Sequence, residues 1–206
     1  MKLFFSIFFC FVFLEAMAAS SEPSAESQSA AQKIQFSEIS RKNVERLKKI
    51  SKSDFDQLIS SINKAYPDGF LVGSCKGKLK ALTEEGYGLA LVRPYSKSAI
   101  YVAASKDKNK MFVFQELIFF DITFSQSGDI IGRGIEVSCE SWTDLRKIDE
   151  NYRKQVPGST RGSSLRPQIH LDSICGTSNE GDMEFLCFQY DPGKGRFAEI
   201  GGWHND

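Results

Sequence analysis

Met111-Phe112-Val113-Phe114-Gln115-Glu116-Leu117-Ile118-Phe119-Phe120-Asp121-Ile122-Thr123-Phe124 is the stretch on which the fold turns. Its even-numbered positions hold Phe112, Phe114, Ile118, Phe120, Ile122 and Phe124, and only Glu116 breaks the series. Side chains of a strand alternate between faces, so this spacing predicts one almost wholly apolar face lying on a core. The run exceeds the usual strand length of about 5–6 residues, and the polar Gln115-Glu116 step marks a bend.

Outward from that run the same alternation predicts strands over 70–75, 87–93 and 99–104 before it. After it the pattern gives 130–139, 169–174, 184–190 and 196–200. Lys106-Asp107-Lys108-Asn109 and Asp191-Pro192-Gly193-Lys194-Gly195 carry turn residues and join neighbouring strands as hairpins. Ahead of the strands, residues 34–66 repeat with helical period. Phe55, Leu58, Ile59 and Ile62 form one apolar stripe, Ser53 and Asp56 suggest a capping box, and Pro67-Asp68-Gly69 ends the helix. A weaker helix uses Val44, Leu47 and Ile50, with Arg41, Lys42, Arg46, Lys48 and Lys49 on its wet side, diluted by Glu38 and Glu45. The expected class is α+β, a mainly antiparallel β-sheet with one or two N-terminal helices packed on it.

The N-terminus reads as an address. Lys2 precedes the apolar run Leu3 to Leu14, and Ala16-Met17-Ala18 places small residues where a signal peptidase inspects them. The run falls short of the roughly 20 apolar residues that a membrane span needs. Residues 1–18 are therefore expected to be a signal peptide and residues 19–33, small and polar, a disordered linker. Residues 34–206 form a single α+β domain, periplasmic or secreted, with no stable membrane anchor after cleavage. That leaves Cys75, Cys139, Cys175 and Cys187, an even number that suits two disulfides in an oxidising compartment. Four cysteines allow three connectivities; Cys175 and Cys187 flank a turn, which favours joining them and leaves Cys75 to Cys139.

The chain has 206 residues, with 26 Lys+Arg against 26 Asp+Glu, so it lacks the basic excess of a duplex-binding protein. Two histidines, His170 and His204, exclude most multi-histidine sites, and no Cys-x-x-Cys spacing suggests zinc. No metal and no cofactor is expected, nor any nucleic-acid partner. Neither the P-loop nor the Gly-x-Ser-x-Gly elbow is present; Gly128 to Gly134 lacks the Lys-Ser/Thr pair of the former. Two catalytic arrangements deserve weighing. His170 and Asp172 would share a face if they alternate along one strand, near Ser173 or Ser178, although a structural His–Asp pair explains them as well. Glu116 would have a raised pKa if its apolar run buries it, against the alternative of an edge position facing water.

Residues 141–168 resist the strand pattern and read as a long loop with Trp142, Leu145, Ile148 and Tyr152 at near-helical spacing. Arg146, Lys147, Arg153, Lys154, Arg161 and Arg166 make it basic. Trp, Tyr and Arg dominate interface energetics, so Trp142, Tyr152, Arg161 and Arg166 are the candidate binding residues. Packing of the two aromatics back onto the sheet is the competing reading.

Pro67-Asp68-Gly69-Phe70, the run Gly77 to Leu91, His170-Leu171-Asp172-Ser173-Ile174, Glu184-Phe185 and Gly195-Arg196-Phe197 follow one another in a familiar order. In that order the chain resembles small exported bacterial proteins with a single FG-GAP or integrin-type β-propeller-like domain. The resemblance implies a β-rich fold and no transferable activity. Family loops of this kind hold calcium with oxygen ligands, but Lys78 and Lys80 stand where the first such ligands would be, so no calcium is expected.

The expected function is an exported, non-catalytic protein-binding domain whose partner lies in the envelope or extracellular space. Concretely, that is an inhibitor or immunity protein against an envelope- or cell-wall-acting enzyme. The alternative is an envelope hydrolase acting on glycan or peptide through Glu116 or the His170–Asp172 pair.

Overall fold

Leu58 and Ile62, one helical turn apart, are fully buried, and Phe55 and Ile59 pack beside them, so the apolar stripe read from the sequence becomes the face of a helix. The computed structural model describes residues 25–94, 96–122, 135–155, 170–177 and 183–204. Helix α1 spans Ala25–Ser51 and α2 spans Phe55–Ala65, joined by the 3-10 turn Lys52–Asp54. α1 thus reaches into the segment expected as a linker; its Ala, Glu, Gln and Lys content suits a helix that continues from an anchored turn. Lys52 at φ 50 breaks the helix between α1 and α2. The Ser53 capping box does not form. Asp54 is the N-cap and makes no side-chain cap hydrogen bond; the Phe55 N–H is taken by the Lys52 carbonyl instead.

Two antiparallel sheets of four strands follow. In the first, β1 (Phe70–Ala81), β2 (Glu84–Arg93), β3 (Ser98–Lys106) and β4 (Phe112–Asp121) lie in sequence order. In the second, β5 (Val137–Glu140), β6 (Ser173–Gly176), β7 (Met183–Asp191) and β8 (Arg196–His204) do the same. The α+β, mainly antiparallel class holds, with the strands divided between two stacked layers. α1 and α2 cover one face of the first sheet through Leu47, Leu58, Ile62, Tyr87, Leu89, Leu91, Ile100 and Val102. The opposite face, with Ala90, Val92, Ala99, Tyr101 and Ala103, packs on Val137, Ile174 and Phe197 of the second sheet. β2 and β3 are buried almost throughout because both their faces are covered. Small residues allow the two sheets to approach: a Cβ at Gly88 would meet Cys75 Sγ at 2.7 Å and Ile174 Cγ2 at 2.9 Å.

Residues 142–155, expected as part of a loop, form helix α3 (Trp142–Gln155) on the outer face of the second sheet. Ser141 starts it with a capping box. Its Oγ donates to Asp144 Oδ2 at 2.6 Å and accepts from the Asp144 N–H at 3.3 Å. That hydrogen bond, with the charge of Lys147, holds the Asp144 carboxyl below its ordinary range. Leu145 is fully buried, against the Cys175–Cys187 disulfide.

β4 departs from simple alternation. Val102 pairs with Glu116 but Tyr101 pairs with Ile118, so Leu117 is an extra residue, a β-bulge. Phe112 and Phe114 consequently face the helices, whereas Ile118 and Phe120 face the second sheet. The even-numbered residues share no single face. The bend expected near Gln115-Glu116 is this bulge.

Candidate functional site

Where the hairpin ends of the two sheets meet, a groove of about 480 Å³ opens between them. Lys80 of β1, Ser105 of β3 and Val113 to Glu116 of β4 line one wall; Tyr190 of β7 and Gly195, Arg196 and Phe197 of the β7–β8 hairpin line the other. Its size is that of a small-ligand or peptide side-chain pocket.

Gln115 bridges the walls. Its Nε2 donates to the Phe197 carbonyl at 2.8 Å and its Oε1 accepts from the Phe197 N–H at 2.7 Å. One side-chain amide thereby satisfies a rung of β8's outer edge, closing it to other strands. β4 ends the order β1-β2-β3-β4, and its outer edge pairs with no strand among the described residues. Beside that edge Met111, Val113 and Phe119 are each at least two-fifths exposed: 52%, 43% and 55%. Large apolar side chains on an unpaired edge are uncommon, because edges are normally guarded by charge.

The electrostatics of the groove are uneven. Lys80 Nζ stands 5.3 Å from the centroid of the Tyr190 ring, itself edge-on to Phe197. Neither Lys80 nor Arg196 has a carboxylate within salt-bridge reach among the described residues. Some nearby cations do: Lys76 pairs with Glu85, Lys106 with Asp54 at 2.7 Å, Lys110 with Glu84 at 3.2 Å and Lys194 with Asp191 at 3.4 Å. Asp191, the register partner of Arg196, is already engaged: it accepts from the Gly193 and Lys194 N–H groups. Burial acts against its ionised form, but those bonds and the Lys194 charge hold it below the ordinary carboxylate range.

The residues expected to act in catalysis do not converge. Glu116 is exposed at the bulge, not buried in an apolar face, because the extra residue turns the strand there. Its charge reaches Tyr66, whose hydroxyl is pushed up to about 12 by burial first and by Glu116 second, against the lowering influence of Arg93. His170 and Asp172 precede β6 and do not alternate along it. His170 is exposed, while Asp172 clamps β1: its Oδ2 accepts from the Lys78 N–H at 2.8 Å and its own N–H donates to the Lys78 carbonyl at 3.0 Å. Ser173 is fully buried and hydrogen-bonded to Gln189 Nε2 at 3.3 Å. No hydrogen bond among the described residues links these three into a relay; Ser178 lies outside them.

Of the candidate binding residues, Trp142 is half-buried and packs beside Leu145 and the Cys175–Cys187 disulfide. Tyr152 lies on α3 by its backbone, its side chain outside the described set, as are Arg161 and Arg166. The four cysteines form two disulfides: Cys75 of β1 to Cys139 of β5, tying the sheets together, and Cys175 to Cys187 across β6 and β7. Sequence reading did not find Lys80, Arg196 or the Gln115 bridge as a site, since only the docking of two sheets brings them together. Among the described residues no helix is long and apolar enough to cross a membrane. No protein-family model, no curated protein and no solved structure matches this chain.

Proposed function

We propose that this chain is an exported, non-catalytic protein-binding domain, an inhibitor or immunity protein directed at an enzyme that works on the cell envelope or wall. The observation that carries the reading is the edge of β4, which pairs with no strand among the described residues and is flanked by exposed Met111, Val113 and Phe119, beside a groove lined by Lys80 and Arg196. Two disulfides suit export, and the apolar run Leu3 to Leu14 supplies the signal. Trp142, Tyr152, Arg161 and Arg166 belong to the same proposal as a second contact region.

A photo-crosslinking residue placed at Val113 or Phe119 in the mature protein, expressed in its own envelope, tests it. The expected result is one discrete adduct from either position and none from Lys64, exposed on α2. Equal adducts from all three positions would reject the surface. Hydrolysis of wall glycan or peptide by the purified domain, lost in Glu116→Gln or His170→Ala, would replace the proposal with the hydrolase.

A further inference from the structure

The groove has a chemical preference that the binding proposal does not specify. Lys80 and Arg196 bring positive charge to opposite walls, Glu116 adds one carboxylate to the β4 side, and Tyr190 and Val113 supply apolar surface. Paired lysines elsewhere on this end of the molecule show that carboxylates are at hand in the chain; Asp191, the nearest in register, is taken by Lys194 and two backbone N–H groups. Among the described residues neither Lys80 nor Arg196 has a carboxylate within salt-bridge reach, which leaves both able to receive one from a partner. The opening runs beside the edge of β4 that pairs with no strand among the described residues, and the backbone there suits an extended chain. β8, by contrast, is closed at Phe197 by Gln115.

We infer that the groove seats an extended acidic peptide segment of the protein partner, a carboxylate on Lys80 and Arg196 and its backbone along β4. The inference rests on the binding-domain reading and gives that partner a chemistry: alternating acidic and apolar residues in a strand-forming segment. An acidic glycan or a free anion is the competing occupant, to be separated by experiment.

Isotope-labelled mature protein is titrated with four probes: a blocked hexapeptide of alternating Val and Glu, its Val-Lys counterpart, glucuronate and inorganic phosphate. Amide signals of Lys80, Ser105, Val113, Tyr190 and Arg196 are followed. The Val-Glu peptide is expected to shift them saturably, with at least about tenfold weaker binding in Lys80→Glu/Arg196→Glu and a marked loss between low and high salt. Lys80→Gln/Arg196→Gln, which removes charge without reversing it, is expected to fall between. No shift with the Val-Glu peptide, an equal shift with Val-Lys, or binding of glucuronate or phosphate as strong as that of the peptide would each overturn the inference. The two proposals fail separately: adducts from Val113 and Phe119 that persist in Lys80→Glu/Arg196→Glu would leave a binding domain whose groove is not the contact.

Discussion

Removing the Cys75–Cys139 disulfide by the double change Cys75→Ala/Cys139→Ala tests whether the two sheets owe their alignment to a covalent tie. The bridge closes 64 residues of sequence separation, from β1 of one sheet to β5 of the other. In the chain-entropy description a closed loop of that length lowers unfolded-state entropy enough to stabilise the fold by about 4 kcal/mol at 25 °C. Both cysteines are half-buried, so the cavity left by truncation adds little. For a domain of this size about 4 kcal/mol corresponds to a fall in Tm of about 8–16 °C. Urea unfolding followed by tryptophan fluorescence should show a lower midpoint and a steeper m-value, because the untied unfolded chain exposes more surface. Losing less than about 1 kcal/mol at unchanged m would refute the reasoning, since it would mean that sheet packing alone confines the loop in both states. The Cys175–Cys187 bridge closes a separation of only 12, so Cys175→Ala/Cys187→Ala loses a loop contribution of about 3 kcal/mol. Its cysteines are fully buried under Leu145, so a cavity cost is added to that figure.

Gly176→Ala should destabilise by about 2 kcal/mol or more, since its Cβ would lie 2.5 Å from the Tyr101 ring; Gly193→Ala, which meets only Asp191 Oδ1 at 3.2 Å, should cost little in the same urea assay. Leu58→Ala removes a fully buried side chain from the helix–sheet interface and is expected to cost about 2–5 kcal/mol. Burial raises Tyr66 to about 12 and pushes Tyr87 and Tyr101 up as well, so the folded state holds these protons more tightly than the unfolded chain. Stability from these groups is therefore complete below pH 10 and lost as pH rises through the folded values; the 295 nm absorbance of three of the six tyrosines should be withheld until unfolding, and ionisation of all six near pH 10 in the native state would contradict their burial. Deleting Leu117 should preserve the fold, because Glu116–Val102 and Ile118–Tyr101 pairings survive without it, whereas deleting Gln115 shifts Phe112 and Phe114 relative to their partners and should abolish cooperative unfolding.

Strand positions were legible because alternation and turn residues are local signals: Tyr87-Gly88-Leu89-Ala90-Leu91-Val92 and Ser98 to Ala104 became the buried central strands β2 and β3. Their division into two sheets was not, since both faces of β2 and β3 are covered and continuous apolar runs do not say by what. The β4 bulge escaped for a related reason. One inserted residue leaves the even-numbered series intact on paper while reversing which face it occupies after Leu117. α3 carried a readable start in Ser141-Trp142-Thr143-Asp144, but the Pro and Gly that follow Gln155 drew the whole segment into a loop. His170 and Asp172 looked paired only on the assumption of a strand; the backbone clamp between Asp172 and Lys78 depends on contact between segments 94 residues apart.

The groove follows from these same long-range facts. Gln115 can reach Phe197 only because it precedes the bulge and so faces the second sheet, while Glu116, one step on, faces Tyr66 on the helix side. The bulge at Leu117 then keeps the far half of β4 packed on the core through Ile118 and Phe120. If Leu117 instead took a regular strand position, Ile118 and Phe120 would turn toward the helices, or Gln115 would lose its reach to β8. The strand that closes β8 with a side chain has, among the described residues, no strand on its own outer edge, next to Lys80 and Arg196. An arrangement that seals one edge and exposes its neighbour, with apolar side chains on the exposed one, costs the isolated protein an aggregation risk. In the proposed complex a partner would cover that edge, and Lys80 and Arg196, with no carboxylate in salt-bridge reach among the described residues, would favour an acidic one.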